Sequence, residues 1–145
     1  MKIEDIDEKT YITFAKEIYY RLPYKLFVYY DKCDEPIMRV KCISESTGRL
    51  CLISKNYYLT EIEPDEVKLI LRPMRSMTKE ERSEYRTIAP GLVIIDGINI
   101  PNFNKIEWLI QRHFDFRDWI GQRLGVPVTE EFDPYKNPFE EYEEG

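Results

Sequence analysis

The chain has 145 residues, 21 Lys+Arg against 27 Asp+Glu, and a formal charge of −6. That length allows one domain with one modest core, and a mixture of 43% hydrophobic with 33% charged residues excludes disordered and fibrous classes. No apolar run reaches the roughly 18 to 20 residues that a membrane-spanning helix needs.

The charge is unevenly placed. Residues 129–145 hold seven acids and one base, which leaves residues 1–128 with twenty of each. Two parts follow: a neutral domain over 1–128, and an acidic, aromatic-containing tail over 129–145 that is expected to be flexible. The acidic opening, MKIEDIDEKT, lacks the apolar stretch of a secretory signal. Cys33, Cys42 and Cys51 fit no zinc spacing, and Cys42 and Cys51 fall in apolar alternating runs. They read as free thiols in a reducing cytoplasm.

In chain order, Tyr11, Phe14, Ala15, Ile18, Tyr19 and Leu22 recur at helical spacing, predicting a helix over 10–22 stopped by Pro23. Five strand-like runs follow, at 25–30, 37–44, 50–54, 57–62 and 67–71. Their joints are short and rich in turn residues, which predicts antiparallel connections. Met38, Val40 and Cys42 alternate with Arg39, Lys41 and Ile43, so the first set should face the core. Thr78 with Glu81 is a capping box, opening a helix that runs to about Thr87. Leu92–Ile95 reads as a strand closed by Asp96-Gly97. Two helices are then expected within 105–124, broken near Phe114-Asp115, with Asp115 and Asp118 at the second start. The whole is an α+β fold: an N-terminal helix, a small antiparallel sheet of four to six strands that could curl toward a partly open barrel, then two or three helices packed on it.

No nucleophile elbow, phosphate loop or metalloprotease motif occurs, so neither catalysis nor a cofactor or metal is expected. His113, the single histidine, shares an apolar face with Ile106, Leu109 and Ile110 and reads as a core-edge imidazole. Two surfaces carry the functional expectations. The first is the tail, where Phe132, Tyr135, Phe139 and Tyr142 recur at steps of three and four among carboxylates. Acidic segments with spaced aromatics dock into basic apolar grooves of partner proteins. The alternative surface is basic: Arg72, Arg75, Lys79, Arg82 and Arg86 could meet the phosphates of a nucleic acid. Against it stand Glu80, Glu81 and Glu84, which could lace the same helix with ion pairs.

Three segments, LRPMRSMTKEE at 71–81, HFDFRDWI at 113–120 and Leu22-Pro23-Tyr24, carry a resemblance. They resemble a family of small uncharacterised proteins of Bacteroidetes phages and integrated mobile elements. The chain departs from that pattern at Arg75, where the family has serine, at Gln111-Arg112, and at Asp118-Trp119, where it has a glycine-leucine pair. The resemblance implies no activity and no functional residue. It implies a setting: an accessory protein in a bacterial host's cytoplasm, with a host or phage protein as partner. In physical terms the 71–81 segment is a joint, with Pro73 ending a strand, Met74 and Met77 filling a gap, and Thr78 starting a helix.

Overall fold

The computed structural model describes residues 7–88, 92–101 and 103–136. Helix α1 spans Glu8–Arg21, and the Asp7 carboxylate caps it by accepting the Thr10 N–H at 2.7 Å. After a short 3₁₀ turn, Lys25 takes a left-handed conformation (φ 58°) and swings the chain into the sheet. Strands β1 (Phe27–Tyr29), β2 (Ile37–Ile43), β3 (Leu50–Ile53), β4 (Leu59–Ile62) and β5 (Lys68–Pro73) come next. Helix α2 (Lys79–Thr87), the β6–β7 hairpin (Leu92–Ile95, Ile98–Pro101), helix α3 (Phe103–Gln111), β8 (Phe114–Asp115) and β9 (Gly125–Pro127) complete the order.

The main sheet runs β4-β3-β2-β1-β5, every neighbour antiparallel, as the short joints predict. Its far side departs from a pure meander. Along the outer margin of β5, β9 pairs with Leu69–Leu71 and β8 with Arg72 and Pro73, both parallel to it. The result is a mixed α+β sheet that does not close on itself. β6 and β7 form a separate two-stranded sheet around Asp96-Gly97, where both residues have positive φ.

The main core lies between α1 and the sheet. Phe14 and Ile18 meet Leu26, Val28, Val40, Leu52, Leu69 and Leu71, with Trp119 edge-on to Phe14 at 5.3 Å. At roughly 25 cal/mol per Å² of apolar area, such burial is the main stabilising term. A smaller cluster joins α2 and α3 to β8: Met77, Trp108, Leu109 and Phe114, with Tyr85 beside them. Trp108 and Phe114 stack at 5.8 Å.

Three details differ from the periodic reading. The buried face of α1 is Phe14, Glu17, Ile18 and Arg21, whereas Tyr19 points outward. A bulge between Val40 and Cys42 shifts the register of β2 against β3. It turns Ile43 toward the core and Cys42 out to solvent, the reverse of strict alternation. Lastly, α3 ends at Gln111, and residues 116–124 form turns rather than a second helix. His113 is left-handed (φ 64°) just past the end of α3 and reverses the chain into β8. Asp115 then organises the turns, its carboxylate accepting the N–H groups of Trp119 (2.8 Å) and Ile120 (2.9 Å).

The joint at 71–81 is built from local bonds. The Thr78 hydroxyl accepts the Glu81 N–H at 3.1 Å, and the Glu81 carboxylate accepts the Thr78 N–H at 2.9 Å. Met77 is buried here, but Met74 is exposed and fills no gap. Replacing Thr78 with alanine should lower the unfolding free energy by about 0.5–2 kcal/mol, read from the urea midpoint.

Candidate functional site

The β4 margin is an open side of the sheet: among the described residues no strand pairs with it beyond β3. The Ser54 N–H to Tyr58 C=O bond (3.0 Å) sets the phase of the β3–β4 ladder. Thr60 and Ile62 therefore bond inward to β3, while the N–H and C=O of Leu59 and Glu61 point away from the sheet. Three large side chains stand at this margin: Tyr57 is 48% exposed, Tyr58 59% and Leu59 52%. Tyr58 also lines a cleft of about 340 Å³ between the β1–β2 and β3–β4 connections. Met38 lies at the apolar part of that cleft, and Lys32, Asp34, Glu35, Ser54 and Asn56 supply polar groups. Asn56 donates to Glu35 across it, and Lys32 pairs with Glu66 at 3.7 Å. Periodicity located the strand; which strand lay at the margin followed from sheet order, which local patterns do not encode.

The basic segment divides in two. Arg72 is occupied, donating to both oxygens of Glu81 (2.6 and 2.8 Å) with its guanidinium 4.1 Å from the Phe114 ring centre. Those bonds hold the Glu81 carboxyl well below its ordinary 4.5, at about 2. Glu84 also faces the domain, accepting from Trp108 Nε1 (3.0 Å) and Arg112 (2.7 Å). The lacing of α2 by its own acids is thus not what Glu81 and Glu84 do. Arg75, Lys79, Arg82 and Arg86 remain exposed and make no ion pair with any described residue.

Of the four tail aromatics, Phe139 and Tyr142 lie outside the described residues. Phe132 is half-buried in a turn whose ends are tied by the Thr129–Phe132 bonds. Tyr135 is inside the structure. Its hydroxyl accepts the Phe27 N–H (3.0 Å) and donates to the Ile70 C=O (2.7 Å). Its ring stacks on His113 at 3.6 Å and meets Phe27 edge-on at 5.2 Å. Phe27 and Ile70 would be the next bonded pair of the β1–β5 ladder after Tyr29 and Lys68, so the phenol bridges strands where they part. Burial holds that phenol above its usual range. The expected boundary at residue 128 lies upstream of this contact.

His113 sits beneath Tyr135, and its Nδ1 is buried without a partner among the described residues. Burial, then the charges of Arg21 and Arg72, push its pKa from 6.5 down to about 3. Below pH 6.5 the unfolded chain takes up a proton that the folded one refuses until about pH 3. Stability therefore falls as pH drops through that window. Between pH 6 and 5 the slope should approach about 1.4 kcal/mol per pH unit. His113→Phe, followed by urea titration at each pH, should flatten it.

Among the described residues no three His, Cys, Asp or Glu side chains gather as a metal site, and no helix is long and apolar enough to cross a membrane. Comparison with protein-family models, curated proteins and solved structures returned no match.

Proposed function

We propose that this chain is a non-catalytic protein-binding module that receives an extended segment of a partner along β4. The observation that carries the reading is the outward-pointing backbone of Leu59 and Glu61 beside Tyr57, Tyr58 and Leu59. Strand addition draws affinity from such main-chain groups and selectivity from neighbouring pockets, here the cleft at Tyr58 and Met38. The likeness of the 71–81 and 113–120 segments supplies the setting: a phage or mobile-element accessory protein in the cytoplasm of a Bacteroidetes host, acting on a host or phage protein. The tail beyond Lys136, with Phe139 and Tyr142, is a second contact in this reading, whereas Tyr135 serves the fold.

Proline at position 61 removes an N–H that β3 does not use, so the fold should tolerate Glu61→Pro. Pull-down from host lysate with the wild type, with Glu61→Pro and with a 1–136 truncation separates the two contacts. Loss of partners in Glu61→Pro, at unchanged circular dichroism, supports the margin. The same partners at the same yield in all three would end the reading.

A second reading is favoured by the inward turn of Glu81 and Glu84. It makes Arg75, Lys79, Arg82 and Arg86 a cationic stripe for nucleic-acid phosphates, without Arg72. Oligonucleotide anisotropy at about 50 mM salt should then show binding that weakens steeply as salt rises. The double variant Arg82→Glu/Arg86→Glu should abolish it, and no binding by the wild type sinks this reading.

A further inference from the structure

Cys42 and Cys51 are directly opposed in the β2–β3 ladder. The bulge before Cys42 is what sets them on the same outer face: Cys42 is exposed and Cys51 half-buried, while Leu50 and Leu52 point into the core. The Ser44 N–H to Arg49 C=O bond (2.9 Å) fixes the phase, making Cys42 and Cys51 a hydrogen-bonded pair. Such pairs have Cα atoms about 5.5 Å apart, within the roughly 4.4–6.8 Å span of disulfides. Burial foremost, then the neighbouring Cys42 thiol and Glu61, push the Cys51 thiol up, with Lys41 opposing. Cys33 is on the β1–β2 connection and has no such opposite.

We propose that Cys42 and Cys51 form a redox-active dithiol that closes into a cross-strand disulfide. The oxidant class is a low-molecular-weight disulfide such as glutathione disulfide. The exposed Cys42, as thiolate, attacks one glutathione sulfur. That disulfide bond breaks, and the departing glutathione thiolate takes a proton. Cys51, deprotonated in turn, attacks the Cys42 sulfur of the mixed disulfide, forming the protein S–S bond and releasing the second glutathione. Two protein thiols are oxidised, one disulfide is reduced to two thiols, and the two protons end on glutathione. An exposed bridge of this kind is readily reduced again, which suits a switch rather than a permanent staple.

The digest makes the test direct. Trypsin cleavage after Lys41, Arg49 and Lys55 places the two cysteines on separate peptides, 42–49 and 50–55, which only a disulfide can join. Native full-length protein is equilibrated with glutathione and glutathione disulfide at graded ratios, acid-quenched, alkylated and digested. The expected result is the joined peptide, with loss of alkylation at both sites while Cys33 stays alkylated, in the wild type and in Cys33→Ser. Cys42→Ser should leave Cys51 alkylated. Two results overturn the proposal: Cys42 and Cys51 both staying alkylated, or each carrying glutathione separately, under the most oxidising ratio. Formation of the joined peptide in urea but not in the native protein overturns it as well.

Discussion

Glu17→Leu should lower the unfolding free energy by about 3–5 kcal/mol, the largest loss expected of any single substitution here. Glu17 is 2% exposed and lies on the core face of α1. One of its oxygens accepts from Arg21 Nε and Nη2 (both 3.1 Å) and from Trp119 Nε1 (3.0 Å). The other accepts from Arg117 Nε at 3.1 Å. Arg21 is fully buried, and beyond Glu17 its acceptor is the Phe114 C=O at 2.6 Å. Its Nη1 already lacks a partner among the described residues. Removing the carboxylate strands a cation in the core and leaves the Trp119 N–H unsatisfied. The double variant Glu17→Leu/Arg21→Met removes both charges, and apolar replacement of a buried pair is often close to neutral. Urea midpoints of the wild type, single and double variants decide the matter. The double variant should be more stable than the single, and a single-variant loss under about 1 kcal/mol would refute the account.

The second large effect falls at the other end of the chain. A chain cut after residue 128 should unfold several kcal/mol more easily than one cut after residue 136. Between those cuts lies Tyr135, whose hydroxyl stands in for a missing rung between β1 and β5. Tyr135→Phe isolates that rung. It leaves the Phe27 N–H and Ile70 C=O facing a ring edge, at a cost of about 1–3 kcal/mol. Hydrogen exchange at the Phe27 amide should speed up in this variant, and unchanged protection there would show that the phenol carries no weight.

These two effects also mark where local patterns stop informing. The capping box at Thr78 and Glu81 is legible because both partners lie within four residues and their chemistry is fixed. Strands β1 to β5 are legible because each is a short run rich in Val, Ile, Leu, Phe or Tyr, bounded by turn residues. Glu17 and Arg21, by contrast, look like an exposed pair at helical spacing. Their partners in the core are distant in sequence, Trp119 for Glu17 and Phe114 for Arg21. β8 and β9 have two and three residues, too short for any period, and exist through pairing with β5. The inversion of Cys42 and Ile43 follows from one extra residue in β2, and the sequence of β2 contains neither Gly nor Pro to announce it. Of the surfaces expected to bind, Arg72 and Tyr135 are polar groups with long-range partners. The residues that stay exposed on α2 belong to the stripe as spacing drew it.

The two margins of the main sheet are unequal. Beyond β5 lie β8 and β9, short pieces with Pro127 among them, while beyond β4 the ladder stops with its amides turned outward. The margin beyond β5 offers a strand less, because β8 and β9 are short and Pro127 has no N–H to donate. Two copies meeting through β4 would form a closed pair rather than a chain of sheets.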